Sequence, residues 1–211
     1  DLPATLKGSK NAKIKNGIYG SKTFTLKNGL RVWLLPTDYE KDRIVLNYVK
    51  DGGRSLLSDE ELFSFDSNIW QLYLQNSGVA EFPATMVRKM LSGKQVSGSP
   101  YINEYTHGFS GSSTVKDLEV GLQLFYLYLT QPRFDETEYN QGMSQIQAVL
   151  PNLMSQSNYK LNKALYDYVY DSPRRFMIDD AVVEKASLAQ LGSTYKRLFA
   201  DVAGANLVIR S

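Results

Sequence analysis

The sequence has no cysteine and a single histidine, His107. The first absence removes disulfide frameworks, thiol nucleophiles and thiolate metal sites together, and it fits any compartment. The shortage of histidine restricts what is left. A metal centre would have to be built from carboxylates around one imidazole, and no spaced cluster of acids supplies them. Ser-His-Asp chemistry would rest on the same residue, yet no serine lies in a G-x-S-x-G elbow. His107 is therefore read as a structural residue hydrogen-bonded at a strand end. The sequence offers no catalytic residue and no metal ligand, and it names no substrate-contacting residue.

An excess of one charge is missing too. Lys and Arg number 24 against 22 Asp and Glu, a net +2 that leaves no electrostatic footprint for nucleic acid or an anionic membrane. Basic residues gather once, at Lys7, Lys10, Lys13 and Lys15, which read as a solvated arm. No apolar run is long enough to span a bilayer. The richest stretch, DLEVGLQLFYLYLTQPRFD at 117–135, falls short of the roughly 20 residues needed, and it is broken by Glu119 and closed by Gln131-Pro132-Arg133. Phosphate-binding loops are absent as well. HGFSGSST at 107–114 has neither P-loop nor Rossmann spacing, and it reads as a turn followed by a helix cap.

What is present is an ordinary folded composition, 43% hydrophobic and 22% charged, enough for one sizeable core or two small ones. TFTLKNGLRVWLLP at 23–36 reads as a hairpin with a two-residue turn at Asn28-Gly29 and a stop at Pro36. Ile44 to Val49 is a third strand, ended by Asp51-Gly52-Gly53. Ser58 to Glu61 is a capping box, and Leu62, Phe65, Ile69, Leu72 and Tyr73 continue at helical spacing, which predicts one long helix over the sheet. A short helix over 83–91 precedes a strand pair at about 95–100 and 102–109. Next comes a helix over about 115–130, with Leu118, Leu122, Phe125 and Leu129 on one face and apolar residues nearly all round, which predicts burial between layers. Further helices cover about 134–154, 159–170 and 182–199, and a strand covers 206–210. The fold class is α+β, a mixed, mostly antiparallel sheet covered by several helices. Residues 1–22 are expected to be a flexible arm or interdomain linker, and 23–211 a single domain excerpted from a longer protein.

Other chemistry-bearing residues have structural explanations. Asp59/Glu60/Glu61 and Asp179/Asp180 sit where helices begin, so they offset the positive end of the macrodipole. Trp33, Trp70, Tyr166, Tyr168 and Tyr170 are interleaved with few basic residues, so they read as packing residues and not as a base-stacking platform.

Five stretches taken in order carry a resemblance: FTLKNGLRVWLLPTD, KDGGRSLLSDEEL, NSGV, MLSGKQVSGSPYINEYTHGFSGSSTVKDLEVGLQLFYLYLTQPRFDE and YKRLFADVAGANLVI. From about Phe24 onward the chain resembles a homologous half of the pitrilysin/insulinase family of zinc metallopeptidases, in particular the non-catalytic half of its long bacterial members. The family's catalytic half carries an inverted motif, H-x-x-E-H, on its first long helix and a further Glu ligand on a later one. Here the motif would fall at about Ile69-Trp70-Gln71-Leu72-Tyr73, and from Tyr139 to Tyr166 there is no Asp or Glu. The resemblance thus implies a catalytically silent structural domain that encloses peptide substrate within a zinc endopeptidase. It implies companion domains or a catalytic partner subunit, zinc held in the catalytic half and none in this part, and a bacterial periplasmic or envelope location. The alternative it implies is a non-proteolytic scaffold or protein-binding domain of the same fold.

Overall fold

A computed structural model describes residues 13–38 and 42–211. The lysines at positions 7 and 10 lie outside the described residues. Among the described residues the strands are β1 (Lys15–Asn16), β2 (Lys22–Thr25), β3 (Arg31–Leu35), β4 (Arg43–Asp51), β5 (Val96–Ile102), β6 (Thr106–Thr114) and β7 (Asn206–Arg210). The α-helices among them are α1 (Asp59–Ser64), α2 (Ser67–Asn76), α3 (Ala84–Met90), α4 (Leu118–Thr130), α5 (Glu136–Ser155), α6 (Ser157–Tyr170), α7 (Asp180–Lys185) and α8 (Leu188–Phe199). The α+β class expected from the sequence is the observed one. The described residues form two compact units: a sheet unit of residues 13–38, 42–56, 88–132 and 197–211, and a helical unit of residues 57–87 and 133–196.

In the sheet unit the strand order is β1-β2-β3-β7-β4-β6-β5, with every pairing antiparallel except β3 with β7. Pairing starts before residue 23, since Lys15 lies opposite Thr23. The hairpin at Asn28-Gly29 is wider than a two-residue turn. Leu26 N–H donates to Leu30 O, Gly29 N–H donates to Leu26 O, and Gly29 has φ +85°, the three-residue loop with a left-handed glycine. Alternation in β4 sends Ile44, Leu46 and Tyr48 to the buried face and leaves Val45, Asn47 and Val49 half-buried. Tyr48 lies opposite Phe109 on β6 and Leu207 on β7, so three strands meet at one aromatic layer.

HGFSGSST is not a turn with a cap; it belongs to β6, and the second strand of this pair runs five residues further than expected. Its glycines occupy strand positions that neighbouring rings cross. A Cβ at Gly111 would lie 2.8 Å from the Phe109 ring, and one at Gly108 would lie 2.7 Å from Tyr101 Oη. Strand-interior glycine here makes room for aromatics, a use that looks like a loop when read one residue at a time.

α4 packs on β5 and β6. Phe125 rests 5.5 Å from the Tyr48 ring and 5.3 Å from the Phe109 ring, and Tyr128 lies 5.7 Å from Phe109. A Cβ at Gly121 would stand 3.3 Å from Ser113 Cβ, so this glycine sets how closely helix and sheet approach. The buried face is Gly121, Leu124, Phe125 and Leu127, while Leu118, Leu122 and Leu129 are half-buried and Tyr126 is exposed. The expected face was centred too near Leu122, and the expected burial between layers is one-sided, because a helix on one sheet face buries one stripe whatever its outer residues are. The helix begins at Leu118 and not near 115. Asp117 turns its carboxylate away to accept from Gln95 N–H at 3.0 Å and the Thr114 hydroxyl at 3.3 Å, which ties the start of α4 to the start of β5. The Gln95 hydrogen bond, aided by Lys94, holds the Asp117 carboxyl below its ordinary range.

In the helical unit the single long helix expected after Ser58 is two. Ser58 forms the capping box of α1, with Ser58 N–H donating to Glu61 Oε2 at 2.8 Å and Glu61 N–H to Ser58 Oγ at 3.3 Å. Asp66 then interrupts the periodic pattern by accepting from Asn68 N–H at 2.9 Å, which restarts the helix as α2. The core of this unit is Ile69, Ile146, Leu150, Ile178, Val182 and Val183, with Phe63, Leu72, Met143 and Phe176 packed round it.

Candidate functional site

The place where a metal would be sought lies between α2 and α5, which pack on each other. Residues 69–73 of α2 put Ile69, Trp70 and Tyr73 inward, Leu72 half inward and Gln71 outward. Ile69 sits in the cluster with Ile146 and Leu150 of α5, and Leu72 closes over Gly142, whose added Cβ would find it at 3.8 Å. Trp70 is flanked by Phe65 at 5.3 Å and Tyr195 at 5.6 Å. Tyr73 stacks on Phe134 at 5.9 Å, meets the edge of Tyr139 at 6.1 Å and donates its hydroxyl to Arg133 O at 2.6 Å. Burial pushes the Tyr73 phenol far above its ordinary pKa, and it raises that of Tyr139 as well. A neutral donor satisfied by a carbonyl is a packing element, not a ligand. Hydrocarbon, indole and neutral phenol are the wrong donor set for a zinc ion. Among the described residues, no three His, Cys, Asp or Glu side chains converge on one point.

His107 is 1% exposed, one residue into β6 and opposite Lys50 of β4. Gly53 N–H donates to Nδ1 at 3.3 Å, so Nε2 carries the proton and donates to Leu198 O at 2.9 Å. The ring meets Phe199 edge-on at 5.2 Å. Both nitrogens are thereby used by backbone, which fixes one tautomer and leaves no lone pair for a proton transfer or a metal. Burial lowers the imidazole pKa, with the Leu198 bond and Asp51 opposing and Lys50 adding to the effect.

Three of the five acidic groups singled out in sequence, Asp59, Glu61 and Asp179, are engaged where they stand. Asp59 accepts from Arg174 Nη1 at 2.8 Å, Glu61 serves the capping box and accepts from the Thr194 hydroxyl at 2.5 Å, and Asp179 caps α7 through Val182 N–H at 3.0 Å. Of the aromatics, Trp33 bridges strands by donating Nε1–H to Asn206 Oδ1 at 3.0 Å. Tyr166 and Tyr170 pair at 4.4 Å, and Tyr168 is 86% exposed.

A surface missed in the sequence is the sheet face turned away from α4. Ser97 and Ser99 of β5, Ser110 and Ser112 of β6 and Asn47 of β4 share it by register. Ser97 and Ser112 hydroxyls lie 3.0 Å apart, the Ser110 hydroxyl donates to Asn47 Oδ1 at 3.2 Å, and Tyr101 Oη donates to Tyr48 O at 3.4 Å. The signal was serine at every second position, the period of a strand. These groups can present hydroxyls and amides to a polypeptide. The hydrogen-bond partners of Ser97, Ser110 and Tyr101 are hydroxyl, amide and carbonyl groups, none of which acts as a general base.

Neither a family model nor a curated protein sequence matches the chain. Solved structures do match. The periplasmic protease PqqL from Escherichia coli superposes with a TM-score of 0.80 at 18% identity, over 100% of this chain and 23% of that one. A mutant of the ferredoxin protease FusC, in complex with Arabidopsis ferredoxin, gives 0.76 at 18%, with the same coverage. An inactive domain of a peptidase M16 from Pseudomonas fluorescens gives 0.67 at 15%, over 90% of this chain and 46% of that one. The chain therefore has the fold of an M16 peptidase unit, and it spans about a quarter of the length of the two longer proteases. No helix among the described residues is long and apolar enough to cross a membrane.

Proposed function

We propose that this chain is a catalytically silent unit of a pitrilysin/insulinase-type zinc endopeptidase, which packs against companion units and helps enclose a peptide substrate. The observation that carries the reading is the α2–α5 seam: the helix pair on which the resembled family builds its zinc site is here filled by Ile69, Leu72, Ile146 and Leu150. Water activation needs the ion and a glutamate, and this seam supplies neither. The open hydroxyl- and amide-bearing sheet face suits a wall against which an extended chain lies without being cut. Zinc belongs, on this reading, to the catalytic half of a longer protein, in a bacterial periplasm or envelope like that named for PqqL.

The test is a peptidase assay on the longer protein with and without residues 24–211, alongside the 211-residue chain alone. The chain alone should cleave nothing, and the longer protein should lose activity when the unit is removed, since an open half-chamber does not orient substrate. Full activity in the deletion, or one tightly held zinc per chain in the isolated unit after dialysis, would overturn the proposal. The scaffold alternative separates at one observation: absence of any H-x-x-E-H in the rest of the polypeptide or in a co-purifying subunit selects it.

A further inference from the structure

The helical unit holds an open groove of about 760 Å³ between the start of α5 and one face of α8, a size that suits a small ligand. Ala189, Gly192, Ser193 and Lys196 recur at i, i+3, i+4 and i+7, so they share the α8 face that forms one wall. Glu136, Tyr139 and Asn140 form the α5 wall by the same spacing. Gly192 is buried, and a Cβ there would stand 3.3 Å from the Phe134 ring, so the ring lies on the α8 backbone as an apolar floor.

One end of the groove holds donors without acceptors. Ser187 Oγ accepts from Gln190 N–H at 3.2 Å and Ser187 O from Leu191 N–H at 3.0 Å. That leaves the N–H groups of Leu188 and Ala189, the first two residues of α8, without an acceptor among the described residues. Tyr139 is an independent sign at the same place. It lines the groove, is 8% exposed, and its buried hydroxyl has no hydrogen-bond partner. Such a group costs stability unless something supplies the acceptor.

α5 runs from Phe134, against Gly192, toward the seam where Met143 and Ala186 join one cluster, which brings Tyr139 and Asn140 abreast of the start of α8. Backbone N–H groups at a helix start, a phenol and an amide together suit a carboxylate. The far end differs. Lys196 lies eight residues along α8, about 12 Å from its start, with its ammonium 5.9 Å from the Phe134 ring centre. Glu136 stands two residues after Phe134, and neither charge has an ion-pair partner among the described residues. Charges of both signs at that end suit the amides and amine of a peptide better than a second anionic group. An extended chain covers about 12 Å with about four residues. We propose that this groove binds the last four residues of a peptide. The terminal carboxylate meets the start of α8 and the Tyr139 hydroxyl, an apolar side chain covers Phe134 and Gly192, and the amine end lies by Glu136. The groove stands on its own residues; the choice of a peptide as ligand rests on the peptidase reading.

The experiment is isothermal titration of the 211-residue chain with the tetrapeptide Gly-Ala-Ala-Leu, as the free acid and as the C-terminal amide, with circular dichroism to confirm that each variant is folded. The acid should bind with a Kd of about 0.1–1 mM, and the amide at least about tenfold more weakly. Tyr139→Phe removes only the hydroxyl and should weaken the acid about three- to tenfold, while the thermal midpoint holds or rises because no partner is lost. A structural role for that hydroxyl gives the opposite pair, a lower midpoint and unchanged binding, and overturns the proposal. Ala189→Phe fills the groove from an exposed position and should abolish binding in a folded chain. No binding up to about 5 mM, an amide bound as tightly as the acid, or binding that survives Ala189→Phe overturns the proposal. Acetate that competes as well as the peptide would mean an adventitious ion only, and overturns it too. The titration involves no cleavage, so its failure is separate from that of the peptidase reading, which the deletion assay decides.

Discussion

The two units bury apolar surface by different devices, and the difference bears on what each can lose. In the sheet unit a residue's face follows from its parity along the strand, so Ile44, Leu46 and Tyr48 are inside and Val45, Asn47 and Val49 are not. Identity at one position there is tied to the cross-strand partner, as with Phe109 lying across Gly111 and Gly98. In the helical unit two helices face each other across a seam, and whatever fills the seam is set by a few side chains at i and i+3 or i+4. Here the seam between α2 and α5 is filled by Ile69, Leu72, Ile146 and Leu150.

The sharpest way to break the comparison is Phe109→Ala, which empties the layer shared by Tyr48, Phe125 and Tyr128 and should cost about 3–5 kcal/mol in urea denaturation. Leu122→Ala, half-buried on the same α4, should cost clearly less; equal costs would show that the helix buries both sides. Leu150→Ala in the seam should cost about 2–5 kcal/mol, read in the same way. An unchanged midpoint would mean the seam is not the core of its unit.

His107 sharpens the comparison through pH. Its folded pKa is lowered, so between the unfolded value of about 6.5 and the folded value the unfolded chain takes up more protons. Stability is present above pH 6.5 and is lost as pH falls through the unfolded value down to the folded one. Replacing the ring by Ala should cost about 1–3 kcal/mol for each backbone group left without its partner, Gly53 N–H and Leu198 O, and should flatten the pH 7.5 to 5.5 difference in denaturation midpoints. A slope that persists in the variant would place the titration elsewhere. A smaller loss, about 1 kcal/mol, is expected for Ser58→Ala at the α1 capping box, seen as a shift in thermal midpoint. The smallest is Ser97→Ala on the open face, within about 0.5 kcal/mol, since its hydroxyl is exposed and Ser112 can turn to water. A larger loss would make that face part of the core.

Sequence reading caught the elements whose period is long and regular. α5, α6 and β7 lie within a few residues of expectation; in α5 the Asp135 cap and the apolar repeat agree. It failed where one signal was overridden. Asp66 breaks an apolar repeat that runs on through Ile69, because a side-chain cap offers the backbone an alternative the repeat does not record. Gly108 and Gly111 looked like loop because the rings of Tyr101 and Phe109 that need them are supplied by tertiary contact. The apolar packing of α5 against α2 agrees with the acid-free run from Tyr139 to Tyr166, which places Ile146 and Leu150 one helical turn apart. The exposed stripe of α6 was not legible, because Leu161, Leu165 and Tyr168 have the same spacing in a core as at the surface.

Strand β7 carries one more consequence, for the order of assembly. It lies between β3 and β4, parallel to one and antiparallel to the other, and Asn206 meets Trp33 across 173 residues of chain. The β2–β3 and β5–β6 hairpins can zip locally, but β3 and β4 share no ladder and wait as two unpaired edges until β7 slides between them. That wait is the long-range closure that slows β-rich topologies and exposes sticky edges to neighbouring chains. Refolding should accordingly be limited by one late strand insertion, and a supplied peptide of residues 206–210 should compete for the open slot and trap the chain half-zipped.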